Sequence, residues 1–216
     1  MKQTINRYTN IVIEGNIGSG KTSLATKISR QFGFRLILEE FADNPFLPDF
    51  YSNPVRYAFP LELSFLAERY HQLKEKFKQP ELFSTTTISD YLFVKSLIFA
   101  RINLSEDEYE LYRKLFNIMD LMLPRPDILV YLHNETENLL RNIARRGRSY
   151  EQQITADYLN RVHSSYMDFF RQSDDMKILV LSTANLDFIK DENDYNLLLD
   201  YIGKDYKAGI NSLILK

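Results

Sequence analysis

The sequence predicts an α/β fold in which a parallel sheet is flanked by helices. Apolar runs suited to strands alternate with segments of helical character along the 216 residues, as in strand–helix–strand units. The first run leads into a glycine-rich loop that is followed by a helix. We therefore expect a three-layer fold with a five-stranded parallel sheet, and residues 1–216 as a single domain. The five runs are Ile11–Ile13, Leu36–Leu38, Thr85–Ile88, Ile128–Leu132 and Ile178–Leu181.

The loop after the first predicted strand has the spacing G-x-x-x-x-G-K-[ST], which is typical of phosphate binding. Its glycines allow backbone N–H groups to converge on phosphate oxygens, and the following helix directs its positive end at them. Lys21 is expected to reach the β- and γ-phosphates, and the Thr22 hydroxyl to bind Mg²⁺. The motif predicts ATP and Mg²⁺ as cofactors, bound by Gly15, Asn16, Ile17, Gly18, Ser19, Gly20, Lys21, Thr22 and Ser23.

The composition argues against several other classes of protein. With 27 basic and 29 acidic residues the net charge is −2, which disfavours binding to a nucleic-acid backbone. There is no cysteine, so disulfides and thiolate zinc sites are excluded. The sequence has neither the apolar core of a signal peptide nor a run long enough to span a membrane. These features predict a cytoplasmic protein with no membrane partner.

A capping box marks the start of one predicted helix, with Ser105 at the cap and Glu108 three residues later. The helix carries an apolar stripe that predicts contact with the core or with another subunit. The stripe consists of Tyr109, Tyr112, Leu115, Phe116, Met119 and Met122.

The phosphate loop alone leaves GTPases, motor ATPases and small-molecule kinases open. The N-K-x-D motif of GTPases is missing, and the D-x-x-G match at 200–203 falls in the last predicted helix. Carboxylates follow the second and third predicted strands, at Glu39, Glu40 and Asp90, where open α/β sheets place their sites. Residues 141–148 contain four arginines, which predicts a lid over the phosphates. A small-molecule kinase is therefore favoured.

Seven segments in a fixed order carry a resemblance over nearly the whole chain: GNIGSGKT, EEFADNPFLPDFY, FPLELSFLAERYHQL, SDYLFVKSLIFA, RPDILVYL, RRGRSYE and ANLDF. Together they resemble the deoxynucleoside kinases, and within them the bacterial deoxyguanosine and deoxyadenosine kinases. The resemblance implies transfer of the γ-phosphate of ATP to the 5′-hydroxyl of a purine deoxynucleoside. It also implies a homodimer formed through two helices, and a lid at about residues 141–152.

The same resemblance implies roles around the sugar and the base. Glu39 would take the proton from the 5′-hydroxyl, which requires an ionised carboxylate within hydrogen-bond reach. Tyr51 and Glu151 correspond to the pair that holds the 3′-hydroxyl, Phe99 to the aromatic residue that stacks on the base, and Asp90 to the acid near Mg²⁺. Taken alone, Tyr51 and Phe99 are typical core aromatic residues, and Asp90 is a typical helix cap.

Further roles concern ATP. Arg146 and Arg148 correspond to lid arginines that stabilise charge on the transferring phosphoryl group. Leu186, Asp187 and Phe188 resemble the loop beside the adenine of ATP.

Three departures from the family pattern concern the substrate. Glu40 stands where a proline often follows the catalytic glutamate, so it is an alternative to Glu39. Tyr91 stands where many members have an arginine that contacts the 5′ end of the substrate. That contact is therefore lost, or is supplied by Lys21 or the lid. Glu62 replaces a base-reading glutamine and Lys95 a common aspartate.

The replacement at position 62 suggests which base is bound. A carboxylate only accepts hydrogen bonds, which suits the adjacent N1–H and 2-amino donors of guanine. Arg69 and Lys95 would then donate to O6 and N7. We therefore expect deoxyguanosine as substrate, provided that Glu62 faces the pocket, with deoxyadenosine as the alternative. A nucleoside monophosphate kinase and a non-catalytic nucleotide-binding module are more distant alternatives.

Overall fold

The computed structural model describes residues 4–40, 44–78 and 86–215. Within these ranges six strands form one parallel sheet: β1 (Asn10–Gly15), β2 (Arg35–Ile37), β3 (Thr87–Ser89), β4 (Ile128–His133), β5 (Lys177–Ser182) and β6 (Gly209–Ile214). Their order across the sheet is β2-β3-β1-β4-β5-β6. The α/β class with a parallel sheet is confirmed.

The expectation of five strands was wrong, because it omitted β6. This strand lies at the edge of the sheet and pairs only with β5 in the described structure, from Lys177–Gly209 to Ser182–Ile214. Its residues alternate between partly buried and exposed, so it contains no continuous apolar run. The third predicted run also differs slightly, since Thr85 lies outside the described residues and β3 begins at Thr87.

Helices cover both faces of the sheet: α1 (Lys21–Phe32), α2 (Leu47–Ser52), α3 (Pro54–Lys78), α4 (Lys95–Asn103), α5 (Glu106–Asp120), α6 (Thr136–Arg146), α7 (Ala156–Arg171) and α8 (Glu192–Ile202). Short 3₁₀ helices span Thr4–Arg7 and Ser149–Gln153. In the ranges that the structure describes, no helix is both long enough and apolar enough to span a membrane.

Alternating residues of the central strands divide the core into two layers. Ile11 and Ile13 of β1 pack on the side of α1 and α8. Val12 of β1, together with Tyr131 of β4, packs on the side of α3, α4, α5 and α7. This alternation is the period of a strand buried on both faces, and it produces the three-layer arrangement.

The predicted capping box at α5 is present, with the Glu108 carboxylate accepting hydrogen bonds from the backbone N–H and the hydroxyl of Ser105. Its predicted stripe is only partly buried. Tyr112 and Phe116 lie in the core, whereas Met122 is 67% exposed. Four large apolar residues of α5 and the turn that follows it are exposed: Leu111, Ile118, Leu121 and Met122.

Candidate active site

Three neighbouring strands end at one edge of the sheet and bring the predicted site residues together. The phosphate loop follows β1, Asp90 follows β3 and Glu39 lies just beyond β2, and these strands are adjacent in the order β2-β3-β1. A cavity of about 1240 Å³ opens there. Its wall includes the predicted residues Ile17, Lys21, Thr22, Glu39, Glu62, Arg69, Asp90, Lys95, Phe99, Arg146, Arg148 and Glu151.

The phosphate loop has the backbone that its glycines predict. Gly18 and Gly20 have φ angles of +82° and +88°, a region that other residues rarely adopt. Among the described residues, no side chain caps the first turn of α1 at Gly20, and the buried Ser19 hydroxyl has no hydrogen-bond partner. The loop therefore offers helix N-terminal donors and an unused hydroxyl, which suit a phosphate group.

Helices α6 and α7 hold this loop through contacts that the sequence did not predict. The Asn142 amide of α6 donates to the Gly18 carbonyl at 2.9 Å. The Asn16 amide donates to the carbonyl of Leu159 in α7 at 2.8 Å. Both contacts join residues more than 120 positions apart in the chain, so no local pattern reveals them.

Lys21 and Thr22, at the start of α1, both line the cavity. Lys21 Nζ lies 3.3 Å from the Asn16 carbonyl, and burial together with neighbouring Lys95 lowers the Lys21 pKa to about 8. The Thr22 hydroxyl donates to one oxygen of Asp90, whose other oxygen accepts the Glu39 N–H at 2.8 Å. A hydroxyl and a carboxylate in contact are hard oxygen donors, which suit Mg²⁺ beside a bound phosphate.

Two cations, Arg69 and Lys95, hold Glu39, and the sequence did not predict either pairing. Arg69 Nε and Nη2 lie 2.9 and 2.8 Å from Oε1, and Lys95 Nζ donates to Oε2. Burial opposes ionisation, but Lys95 and Arg69 outweigh it and lower the pKa of Glu39 to about 2. These contacts leave the other expectation a prediction, namely that the contact to the 5′ end of the substrate is lost or is supplied by Lys21 or the lid.

Tyr91, which was expected near the 5′ end of the substrate in place of the family's arginine, does not line the cavity. Its side chain is 1% exposed and lies in the core rather than in the cavity wall, and its hydroxyl donates to Gln72. Gln72 in turn donates to the Leu38 carbonyl at 2.7 Å. Tyr91 therefore supports the chain just before Glu39 and does not face the substrate. Glu40, the alternative base, lines the cavity but is exposed.

Glu62 faces the cavity from α3, as the base-reading prediction requires. Its side chain is buried, with Oε1 accepting from Asn103 Nδ2 at 2.6 Å. Its Oε2 is buried without a hydrogen-bond partner among the described residues. Burial raises the pKa of Glu62 to about 7, although Arg69 and Asn103 act in the opposite direction.

The aromatic residue predicted to stack on the base also lines the cavity. The ring of Phe99 has Lys95 Nζ 5.6 Å from its centroid and packs edge-on against Tyr158 at 6.5 Å. Tyr51 belongs to helix α2, but its side chain lies outside the part that the structure describes.

The predicted lid begins at the end of α6 and continues through the following 3₁₀ helix. Arg146 contacts both carboxylate oxygens of the buried Glu151, with Nε 3.0 Å from Oε2. Arg148 Nη1 lies 3.4 Å from Oε1 of the same residue. The three residues predicted to meet the phosphates and the 3′-hydroxyl therefore form one cluster in the cavity wall.

The segment predicted to lie beside adenine packs against the phosphate loop. A Cβ on Gly20 would lie 2.8 Å from the Phe188 ring, so Phe188 and the loop are in close contact. The Asp187 N–H donates to Asp194 at 2.7 Å, and Leu186 packs on the core beside α1.

Sequence reasoning missed Glu14, a fully buried carboxylate near the end of β1. It accepts hydrogen bonds from the Leu92 N–H at 2.8 Å, the Tyr166 hydroxyl at 2.9 Å and the Gly15 N–H at 3.1 Å. Burial raises its pKa. Glu14 thereby joins the start of the phosphate loop to the segment after Asp90 and to α7. The signal in the sequence was an acid inside an apolar strand.

Comparison with known proteins agrees with this geometry. Residues 11–206 match the model of the deoxynucleoside kinase family. A deoxyguanosine kinase of Bacillus subtilis (strain 168) is 34% identical over 196 residues, covering 89% of this chain and 95% of that protein. A deoxyadenosine/deoxycytidine kinase of the same organism is 32% identical over 200 residues, covering 89% and 90% of the two chains.

A solved structure extends the similarity to the fold. Deoxyadenosine kinase from M. mycoides with bound dATP superposes with a TM-score of 0.76 at 25% identity, covering 90% of this chain and 98% of that one. The match of the family model, the identity to named kinases and the shared fold lead to one conclusion. The chain belongs to the deoxynucleoside kinase family.

Proposed function

We propose that this kinase transfers the γ-phosphate of ATP to the 5′-hydroxyl of a purine deoxynucleoside, preferably deoxyguanosine. The observation that carries the choice of base is Glu62, which lines the cavity and whose buried Oε2 has no hydrogen-bond partner among the described residues. A bound guanine would supply the missing donors through N1–H and its 2-amino group. Bound adenine presents a single donor, its 6-amino group, between two acceptors, so part of the Glu62 carboxylate would stay unpaired at a cost of about 1–3 kcal/mol.

The chemistry follows from the charges around the cavity. Ionised Glu39 accepts the proton of the 5′-hydroxyl, while Lys21 and the lid arginines Arg146 and Arg148 stabilise charge on the transferring phosphoryl group. Thr22 and Asp90 would hold Mg²⁺, which neutralises phosphate charge when bound. Glu151 and Tyr51 would hold the 3′-hydroxyl. Most of the acceleration comes from positioning and charge stabilisation.

The buried Glu39 also bears on the nature of the acceptor. A neutral hydroxyl must lose its proton during transfer, and the ionised Glu39 can accept it. The phosphate oxygens of a nucleoside monophosphate are already ionised and need no such base. The position of Glu39 thus favours a nucleoside over a nucleotide as acceptor.

Deoxyadenosine is the second candidate substrate, and one observation favours it. The pKa of Glu62 is raised to about 7 by burial, so a protonated form is available near neutral pH. A protonated carboxyl has one donor and one acceptor, as glutamine has, and suits the N6/N7 edge of adenine. The similar kinase from M. mycoides is named for deoxyadenosine.

Replacing Glu62 with glutamine tests the choice of base. Glu62→Gln should raise activity on deoxyadenosine relative to deoxyguanosine by about tenfold or more, because the buried acceptor pair becomes one donor and one acceptor. The kcat/KM values on both nucleosides measure this ratio. Glu110→Gln, at an exposed position on α5, is the matched control. An unchanged ratio in Glu62→Gln would contradict the base-reading role.

We further propose a cytoplasmic homodimer, since ATP and free nucleosides meet in the cytoplasm. The exposed apolar side chains of Leu111 and Ile118 on α5, and of Leu121 and Met122 just after it, support association through this helix. Light scattering of the purified chain should give the mass of two copies, and the mass of one copy would refute the dimer.

A further inference from the structure

The proposed base, Glu39, is held by two cations in a site that is almost closed to water. Arg69 contacts Oε1 through two nitrogens at 2.9 and 2.8 Å, and Lys95 contacts Oε2. The side chains of Glu39, Arg69 and Lys95 are only 8%, 5% and 9% exposed. Charge-assisted hydrogen bonds of this kind stabilise the carboxylate as it stands and weaken it as a proton acceptor.

Arg69 and Lys95 lie on the same two helices as Glu62 and its partner Asn103. On α3, Glu62 and Arg69 are seven residues apart and therefore share one face of the helix. On α4, Lys95, Phe99 and Asn103 follow one another at intervals of four residues. Glu39 joins the two helices at one end, and the hydrogen bond from Asn103 to Glu62 joins them at the other.

A purine placed along Phe99 would lie between these two ends. Its edge would meet Glu62 on one side and the cations of Arg69 and Lys95 on the other. Guanine carries two adjacent acceptors, O6 and N7, whereas adenine carries the acceptor N7 and the donor N6. Only guanine therefore offers one acceptor to each cation.

We propose that Arg69 and Lys95 are positioning residues that couple recognition of the base to release of Glu39. The O6 and N7 atoms of bound guanine draw the two cations away from the carboxylate, which then turns to the 5′-hydroxyl. Adenine draws one cation at most, because its amino group repels the other. This coupling rests on the proposed function, and it makes the correct base a requirement for turnover as well as for binding.

Other groups around Arg69 and Lys95 stabilise these two cations when they leave Glu39 for the base. Glu62 on α3 supplies a second negative charge near Arg69 and Lys95 when it is ionised against guanine. Ser96 on α4 accepts from Arg69 Nη1 at 3.0 Å, and the Phe65 ring lies 4.9 Å from the guanidinium carbon. These contacts retain Arg69 in the wall of the cavity when it leaves Glu39.

An analogue that lacks one acceptor tests the coupling in the unaltered enzyme. In 7-deaza-2′-deoxyguanosine a C–H replaces N7, so one cation should stay on Glu39 and kcat should fall about tenfold relative to deoxyguanosine. A residue that only bound the base would change KM and leave kcat as it was. Steady-state kinetics at saturating ATP separates the two parameters.

Variants at position 95 test whether the charge of Lys95 causes the difference in kcat between deoxyguanosine and deoxyadenosine. Lys95→Met removes one cation, so the kcat values for the two nucleosides should agree within about twofold, and Lys95→Arg should restore the difference. Lys114→Met, exposed on α5, is the control and should behave as the wild type. A purely structural role would lower kcat by the same factor for both nucleosides.

Equal kcat values for deoxyguanosine and deoxyadenosine in the wild type would overturn the coupling. They would leave the proposed function intact, because deoxyguanosine would still be a substrate. An undiminished kcat difference in Lys95→Met would overturn the coupling as well. A lack of turnover with deoxyguanosine would refute the proposed function and the coupling together.

Discussion

Two buried glutamates in one cavity have pKa values shifted in opposite directions. Glu39 has Arg69 and Lys95 on its oxygens, which outweigh the effect of burial, and its pKa is about 2. Glu62 has an amide donor on one oxygen and an unpaired second oxygen, so burial prevails and its pKa is about 7. Glu39 is therefore ionised throughout the physiological range, whereas Glu62 changes charge within it.

This difference predicts how base preference varies with pH. Between pH 6 and pH 8 the ionised fraction of Glu62 rises about tenfold and the protonated fraction falls about tenfold, so the ratio of kcat/KM for deoxyguanosine over deoxyadenosine should rise by up to about a hundredfold. The acceptor-only carboxylate suits guanine, and the protonated form suits adenine. Kinetics on both nucleosides across this range measures the ratio.

The variant Glu62→Gln cannot ionise and should give a constant ratio over the same pH range. A wild-type ratio that stays constant, or that falls as the pH rises, would contradict the titration of Glu62 as its source.

For single residues, the sequence predicted which of them lie at the cavity better than it predicted their hydrogen-bond and ion-pair partners. The ends of predicted strands placed Glu39 and Asp90 at the cavity, and the resemblance to the kinase family placed Glu62 there. Contacts such as Lys95 to Glu39 join residues 56 positions apart and depend on how α4 packs. Tyr91 was singled out because it stands where many family members have an arginine that contacts the substrate, but its own side chain packs in the core.

Among the elements, the phosphate loop and the lid are in direct contact. A Cβ on Gly18 would lie 2.8 Å from the Leu139 carbonyl of α6, and the Gly18 carbonyl accepts the amide of Asn142. The start of the lid therefore rests on the loop that it is expected to cover, and a shift in one displaces the other.

Gly18→Ala should consequently impair ATP use beyond its effect on stability. The new methyl group meets a backbone atom, and the φ of +82° adds strain, so α6 must move. We expect KM for ATP to rise about tenfold or more, which corresponds to about 1.4 kcal/mol of binding. Kinetics with ATP as the varied substrate, together with the melting temperature, measures both effects.

Gly33→Ala is the matched control, because Gly33 also has a positive φ of +70° but no atom lies within 4 Å of the added Cβ in the described structure. It should lower stability by about 1–2 kcal/mol through backbone strain and leave KM for ATP unchanged. Equal changes in KM for the two variants would show that contact with α6 is unimportant.

The elements themselves were predictable where hydrophobic patterning was strong. β1, β4 and β5 are central strands buried on both faces, and their continuous apolar runs reveal them. β6 lies at an edge with one side toward solvent, so its alternating pattern is weak over six residues. The capping box of α5 was found because both partners lie within three residues.

In the whole molecule, the order of the strands in the sheet determines which segments meet at the site. Neighbouring β2, β3 and β1 bring Glu39, Asp90 and the phosphate loop to one edge, although these segments span about 75 positions of sequence. The sequence predicted that each strand end carries chemistry, but spatial order required the structure. The helices α3 and α4 then close the cavity on the side of the base, with Glu62 and Phe99 in its wall.

The central claim is that this cavity phosphorylates a nucleoside hydroxyl with Glu39 as base. We would measure ADP formation from ATP with deoxyguanosine, deoxyadenosine, their ribonucleoside counterparts and dGMP. The account predicts the fastest turnover with deoxyguanosine and none with dGMP. In Glu39→Gln, turnover should be lost while deoxyguanosine still binds. ADP formation with dGMP alone would contradict the account, and a near-normal rate in Glu39→Gln would move the role of base to Glu40 or Asp90.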